Sequence, residues 1–185
     1  MRLVTVQAAA IKSTFEVLKD ILNDVNIYFK PDGVYLVTLD TARTSLIDMH
    51  LPAENFEEYS CSHDMDAGVN VTNVYKLLKT ITSNDVLIMS IDCKEYMNIE
   101  IHSEQKKTCT KFALKLLDIN ENQIEVPEMT MTMNTPVPSV DFQRICRDMA
   151  NIGEDIEITR SKKTLRFTCR GDFANQDTEI QCTDE

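Results

Sequence analysis

The feature that most constrains this chain is an internal echo, in which one pattern of helix followed by strands is written three times. Residues 11–23, IKSTFEVLKDILN, carry apolar side chains at helical spacing and run into the strand-like DVNIYF. Residues 72–82, TNVYKLLKTIT, do the same and pass through SND into DVLIMSI. Residues 139–152, SVDFQRICRDMANI, do it again and pass through GED into IEITR. Short β-rich segments follow each predicted helix. After the first they are VNIYF, a Pro31-Asp32-Gly33 turn, VYLVTL, TSLIDMHL and FEEYSC. After the second they are VLIMSI, YMNIEIHS and TCTKFALKL, and after the third IEITR, TLRFTCR and TEIQC. Alternation with period two is clearest in SLIDMHL and KFALKL.

A β-α-β-β-β unit of this size cannot cover its own apolar faces, whereas two copies can cover each other's. The expectation is therefore an α+β fold of duplicated units, with helices on one face and antiparallel sheets on the other. Residues 1–116 hold two copies and make one complete domain; residues 131–185 hold the third copy. Between them, LDINENQIEVPEMT (117–130) has no clear period and few large apolar groups, and reads as an extended interdomain connector. At 43% hydrophobic and 26% charged residues, the composition permits a packed core. No apolar run approaches the roughly 20 residues of a membrane span, and MRLVTVQAAA lacks the features of a signal peptide. Six cysteines occur without a C-x-x-C pair, mostly inside apolar patterns, and read as reduced core thiols of an intracellular protein.

The charge pattern carries the functional information. The chain has 19 Lys+Arg against 30 Asp+Glu, a net charge of −11, which argues against binding nucleic acid by overall charge. At about 100° per residue, with Arg144 at zero, Arg147 falls near 300° and Phe142, Ile145, Met149 and Ile152 fall between roughly 80° and 160°. Lys76 and Lys79 repeat that placement opposite Val74, Leu77 and Ile81. Lys12 and Lys19 also share a face of the first helix, where Glu16 and Asp20 intrude. Cations set opposite a buried stripe on three helices predict a local basic surface in an otherwise acidic chain. Such a surface would neutralise phosphates without reading bases. The alternative for any one pair is an ordinary solvated helix face.

Four stretches, FQRICRDMANIGEDIEI, LDTARTSLIDMHLPAENFEEYSC, AGVNVTNVYKLLK and KLLDINENQIEVPE, resemble the eukaryotic sliding-clamp family of proliferating cell nuclear antigen. The likeness runs in order through nearly the whole chain, connector included. It implies the DNA-clamp fold and a ring of three protomers, with helices lining the hole and sheets forming the outer wall. The ring would encircle double-stranded DNA, tether DNA polymerase and other proteins bearing clamp-binding peptides, and be opened by an ATP-driven clamp loader. It implies no enzymatic activity, no cofactor, no membrane association, and a place in the nucleus, or in a viral replication factory if virus-encoded. The family's hole-lining cations correspond to Lys12, Lys19, Lys76, Lys79, Arg144 and Arg147, with Ser13 where the family has a further lysine. Its partner-peptide pocket corresponds to Leu39, Arg43, Leu46, Ile124, Val126 and Pro127, an apolar groove in which Arg43 replaces a common histidine. Family protomers continue past the end of this chain, so the resemblance implies a truncated second domain whose fourth unit is missing.

The same resemblance assigns head-to-tail contact between protomers to two strand edges. These are residues 108–116, with Lys111, Phe112 and Lys115, and residues 178–182, with Glu179 and Ile180; Cys146 and Met149 are expected to pack nearby. Read from the residues alone, both segments are equally ordinary edge strands shielded by charge. A head-to-tail contact closing after three copies would form a heterologous ring.

Other candidate chemistry is weaker. CSHDMD (61–66) has no second cluster to complete a metal site and reads as an acidic loop. His50 and His102 lie in strand patterns without a cysteine or serine nearby in a nucleophile motif. SEQKKT (103–108) reads as a hairpin turn, and Met129, Met131 and Met133 as one buried strand face. No glycine-rich phosphate loop and no catalytic constellation is present, and Asp40 and Asp48 lack support as a carboxylate pair. An α+β hydrolase is the least supported reading. The competing reading within the same fold is a clamp-like checkpoint or viral transcription accessory subunit that forms no homotrimeric processivity ring.

Overall fold

A computed structural model describes residues 1–120, 124, 126, 130 and 134–181. Its elements run β1 (Arg2–Thr5), α1 (Ala8–Leu18), β2 (Asp24–Lys30), β3 (Gly33–Leu39), β4 (Leu46–Pro52), a 3-10 turn (Ala53–Asn55) and β5 (Glu58–Ser60). The second repeat is β6 (Met65–Asn70), α2 (Val71–Leu78), β7 (Asp85–Cys93), β8 (Tyr96–Ser103) and β9 (Thr108–Lys115). The third is α3 (Ser139–Ala150), β10 (Ile156–Arg160), β11 (Thr164–Arg170) and β12 (Asn175–Gln181). The chain divides into two compact units, Met1–Val126 and Pro127–Glu185. The expected β-α-β-β-β order is present twice in the first unit. Met129, Met131, Met133 and Pro127 lie outside the described residues.

In the first unit the repeats exchange strands. One antiparallel sheet has the order β5-β1-β7-β8-β9, the other β4-β3-β2-β6. The first strand of repeat one, β1, pairs Leu3 with Met89 of β7, and β6 of repeat two pairs Val25 of β2 with Val69. Repeat one also sends its last strand, β5, across to β1. FEEYSC follows β4 in the chain but does not join the sheet of β4. Instead the 3-10 turn after Pro52 redirects the chain, and Glu57 is held by its backbone N–H on the Val4 carbonyl, 3.0 Å away.

The helices are laid over this pair of sheets by their apolar stripes. Ala8, Phe15 and Leu18 of α1 and Val71, Val74 and Leu78 of α2 are buried in one core with Phe29, Leu36, Leu87, Met97 and Ile99. Burying a side chain of this size contributes about 1.5–3 kcal/mol, so this core dominates the unit's stability. Both helices differ in extent from the sequence reading. α1 begins three residues earlier because Ala8–Ala10 are strong helix formers, and ends at Leu18. A tight turn then carries Leu22 into the core, with Ile21 and Leu22 both bonded to the Leu18 carbonyl at 3.1 and 2.8 Å. α2 starts where the Asn70 side chain accepts the Asn73 N–H at 3.0 Å, an N-cap. It stops at Leu78, and Ile81 reaches the core from the following turn rather than from the helix.

In the second unit α3 covers one face of the sheet β10-β11-β12. Its core is small: Ile145 and Met149 of α3 against Leu165, Phe167 and Cys169 of β11. Phe142 and Ile158, beside that core, remain 41% and 54% exposed. The expectation that cysteines are core thiols holds for Cys169 alone among the described residues. Cys93 and Cys109 are exposed and Cys61 and Cys146 half-buried, all without disulfides, because three of these positions fall on solvent-facing strand or turn sites.

The chain leaving β9 is fastened back onto the first unit. Leu117 donates its N–H to the Gly68 carbonyl at 2.8 Å, and Asn26 Nδ2 donates to the Ile119 carbonyl at 3.0 Å. This close approach requires glycine at 68, since a Cβ there would strike the Leu117 carbonyl oxygen. Gly68→Ala is therefore expected to lower stability by about 1–3 kcal/mol, read by urea denaturation, and to expose the Leu117 amide to hydrogen exchange. An unchanged midpoint and exchange rate would show that the approach is not tight.

Candidate nucleic-acid interface and partner pocket

The three helices present their cations unequally. On α2, Lys76 and Lys79 are exposed opposite the buried Val71, Val74 and Leu78. Lys76 Nζ makes one long bond, 3.4 Å, to Asn73 Oδ1, and Lys79 makes no ion pair among the described residues. On α3, Arg144 and Arg147 are exposed opposite Ile145 and Met149; Arg144 leans on Asp141 at 3.0 Å. An exposed pair of that kind is worth at most about 1 kcal/mol, so a phosphate can readily replace the aspartate.

The first helix differs. Lys12 is half-buried, and its ammonium donates to the Ile81 carbonyl at 2.7 Å, closing the turn that follows α2. Lys19, also half-buried, pairs with Asp20 at 2.6 Å and sits 5.3 Å over the Tyr75 ring. The Asp20 bond, working against some burial, raises the Lys19 ammonium above its ordinary value. Tyr75 in turn donates its hydroxyl to Glu16 at 2.9 Å, so α1 and α2 are joined by a Glu16–Tyr75–Lys19 chain that sequence spacing did not expose. Lys12 and Lys19 thus serve the helix pair, whereas Lys76 and Lys79 face solvent.

A concavity in the first unit gathers Leu39, Arg43 and Ile124 of the expected partner pocket, together with Leu22, Val25 and Thr41. Leu46 stands opposite Leu39 in the β3–β4 register and is 41% exposed; Val126 is 37% exposed. Pro127 is outside the described residues. The groove is more polar than expected, because Asn23, Asp24 and Asp40 also line it. One wall is the turn from 40 to 45. Asp40 accepts the Thr44 and Ser45 N–H groups at 2.7 and 3.0 Å and the Thr44 hydroxyl at 2.9 Å. Arg43 occupies the left-handed region at φ 56°, its N–H bonded to the Asp40 carbonyl at 2.9 Å. Thr41 ties this turn to the Ile21 carbonyl after α1.

The expected contact strands are the last of their sheets, β9 in one unit and β12 in the other. Lys111 pairs with Glu100 at 2.9 Å, Lys115 is exposed, and Phe112 is half-buried against the first core. On the second unit Cys146 is half-buried, Glu179 is exposed and paired with Arg166, and Ile180 packs against the local core. Met149 is a correction. It is fully buried among Phe167 and Cys169, because its position in the α3 stripe directs it into the unit's own core rather than onto a surface.

A second correction concerns His102, which does have a cysteine beside it. The four-residue turn 104–107, with Lys107 at φ 51°, places His102 opposite Cys109, and Nε2 lies 3.6 Å from Cys109 Sγ and 3.1 Å from Glu100 Oε2. The bonds from Lys111 and His102 hold the Glu100 carboxyl below its ordinary value. The hairpin turn over 103–108 was expected, and the register across it pairs His102 with Cys109.

The profile of the proliferating cell nuclear antigen N-terminal domain matches residues 1–124, and that of the C-terminal domain matches residues 125–185. The chain belongs to the proliferating cell nuclear antigen family. Among its relatives is the probable DNA polymerase sliding clamp 1 of Paramecium bursaria Chlorella virus 1, 38% identical over 186 residues, covering 97% of this chain and 71% of the relative. The proliferating cell nuclear antigen of Chaetomium thermophilum is 29% identical over 170 residues, covering 91% of this chain and 66% of that protein. Membership in the proliferating cell nuclear antigen family agrees with the duplicated helix-and-sheet architecture and makes this a sliding-clamp chain.

Two expectations follow for this clamp chain. Lys12→Met leaves the Ile81 carbonyl without its donor and should cost roughly 1–3 kcal/mol in urea denaturation. Lys79→Met should stay within about 0.5 kcal/mol; equal losses would contradict the assigned roles. The backbone hydrogen bonds of Ser45 and Thr44, opposed by slight burial, hold the Asp40 carboxyl below its ordinary value. The stability it gives the turn is therefore full above the unfolded value near 4 and is lost as pH falls through the lower folded value. Amide protection at Thr44 and Ser45 should fall with that acidification, and Asp40→Asn should lower it at neutral pH.

Proposed function

We propose that this chain works as a DNA polymerase processivity factor that encircles duplex DNA. The observation that carries the reading is the solvent-facing placement of Lys76, Lys79, Arg144 and Arg147 opposite the buried stripes of their helices, in a family member with a net charge of −11. Exposed cations of this kind exchange counterions for phosphates without reading bases, which permits sliding. The acidic remainder disfavours DNA elsewhere. Retention then comes from topology, and the protein itself performs no catalysis.

Ring closure is assigned to a head-to-tail homotrimer, with β9 of one protomer meeting β12 of the next. Each of the two is the terminal strand of its sheet, the position at which a further chain can associate. A clamp loader would open the ring. Polymerase and other partners would dock clamp-binding peptides at Leu39, Leu46, Ile124, Val126 and Pro127, with Arg43 at the rim. The place of action is wherever duplex DNA is replicated, the nucleus or a viral replication factory.

The test is retention on circular against linear duplex. The loaded protein should stay on a closed circle at high salt and leave once the circle is cut. Lys76→Ala with Lys79→Ala should reduce the slope of log affinity against log salt by about 2. Equal retention on cut and closed DNA would refute encirclement.

A further inference from the structure

We propose that Glu100, His102 and Cys109 form a zinc-binding site on the solvent-facing side of the β8–β9 hairpin. The three donors come from one face of two paired strands: Glu100 and His102 lie two residues apart on β8, and Cys109 stands directly across from His102 on β9. Their ligand atoms all lie within 4.8 Å of one another. A tetrahedral zinc ion with bonds of about 2.3 Å to sulfur and about 2.0–2.1 Å to nitrogen requires a sulfur–nitrogen separation of about 3.6 Å. The observed Cys109 Sγ to His102 Nε2 distance is 3.6 Å. The carboxylate oxygen Oε2 of Glu100 is 3.1 Å from the same nitrogen, close to the nitrogen–oxygen edge of such a tetrahedron.

The donor set fixes the class of ion. Thiolate and imidazole select zinc-like metals and disfavour magnesium and calcium, which require oxygen. On binding, the Cys109 thiol loses its proton to solvent, His102 offers the Nε2 lone pair with its proton on Nδ1, and Glu100 supplies a carboxylate. One thiolate and one carboxylate balance the two positive charges, and the fourth tetrahedral position remains for water. Lys111 supports the arrangement from outside: its Nζ donates to Oε1 of Glu100 at 2.9 Å, orienting the carboxylate and leaving Oε2 for the metal. The strand pair holds all three side chains in register, so little ordering is needed on binding.

The loop with Cys61 and His63 offers no equivalent, since Cys61 Sγ approaches the His63 carbonyl and the His63 ring turns to Ser62. Pairing of the β9 edge with another chain would use backbone groups in the plane of the sheet. It would leave the side chains on the face of the hairpin clear.

The full chain, reduced and freed of metal, is titrated with Zn²⁺ against a chelator of known affinity and with Co²⁺ by absorption. One ion per chain is expected, with a thiolate-to-cobalt charge-transfer band. Cys109→Ser should abolish the band and weaken Zn²⁺ by more than the about 10–100-fold typical of losing an outer-shell partner. His102→Gln should weaken Zn²⁺ comparably, and Cys93→Ser, an exposed cysteine away from the cluster, should change neither. The proposal fails if the parent chain gives no band, if the band survives Cys109→Ser, or if it is lost in Cys93→Ser. Far-ultraviolet circular dichroism identifies any variant that has not folded, and His102→Gln and Cys109→Ser provide independent readings.

Discussion

Everything in the first unit depends on the exchange of strands between its two repeats. Neither repeat completes a sheet alone, because β1 hydrogen-bonds to β7 and β6 to β2. Each first strand takes a ladder partner from the other copy, β1 having β5 of its own repeat on its second side, and an unpaired buried N–H or C=O would be costly. The exchange also brings both helices onto one core, where Phe15, Leu18, Val74 and Leu78 meet the strands of both sheets. The second unit has one repeat's helix and strands, and its buried cluster is accordingly confined to Ile145, Met149, Leu165, Phe167 and Cys169.

Placing two helices on a shared core has a consequence for charge. Their adjoining sides are used up in contacts: Tyr75 bonds Glu16, Lys19 covers the Tyr75 ring, and Lys12 reaches the Ile81 carbonyl. Only the sides turned from the core and from the neighbouring helix remain open, and these carry Lys76 and Lys79. The same logic selects Arg144 and Arg147 on α3. A cation on a helix is thus available to a polyanion only if it stays exposed and any partner it has, as Asp141 for Arg144, can be displaced by phosphate, which is a tertiary property. The groove beside β3 follows a similar rule. Its Asp40 turn is held by the bonds from Thr44 and Ser45 and tied through Thr41 to the Ile21 carbonyl just after α1.

Much of this was legible in the chain. The helical stripes of α2 and α3, the alternation of β4 and β9 and the hairpin turn at 103–108 are local patterns, and local patterns are written in sequence order. The partner of each strand was less accessible. FEEYSC follows β4 in the chain yet joins β1 in the other sheet, since pairing depends on where the 3-10 turn aims the chain. Cysteine burial was misjudged for a related reason. Cys109 sits in a strand with apolar neighbours, yet alternation puts it on the face opposite Phe112. Met149 shows the converse, since its helical position marked it as buried and the resemblance suggested an interface, and packing decided for the core.

By itself, the sequence determined the repeat, the kind of elements and which helix faces carry cations, because each of these is a matter of spacing along one chain, and its likeness to known stretches gave the family. Only the tertiary structure decided which sheet each strand joins, which lysines are consumed by the fold, and that Glu100, His102 and Cys109 converge on one face. Those outcomes depend on distances between residues far apart in the chain or on opposite strands, and such distances are set by packing and hydrogen-bond register.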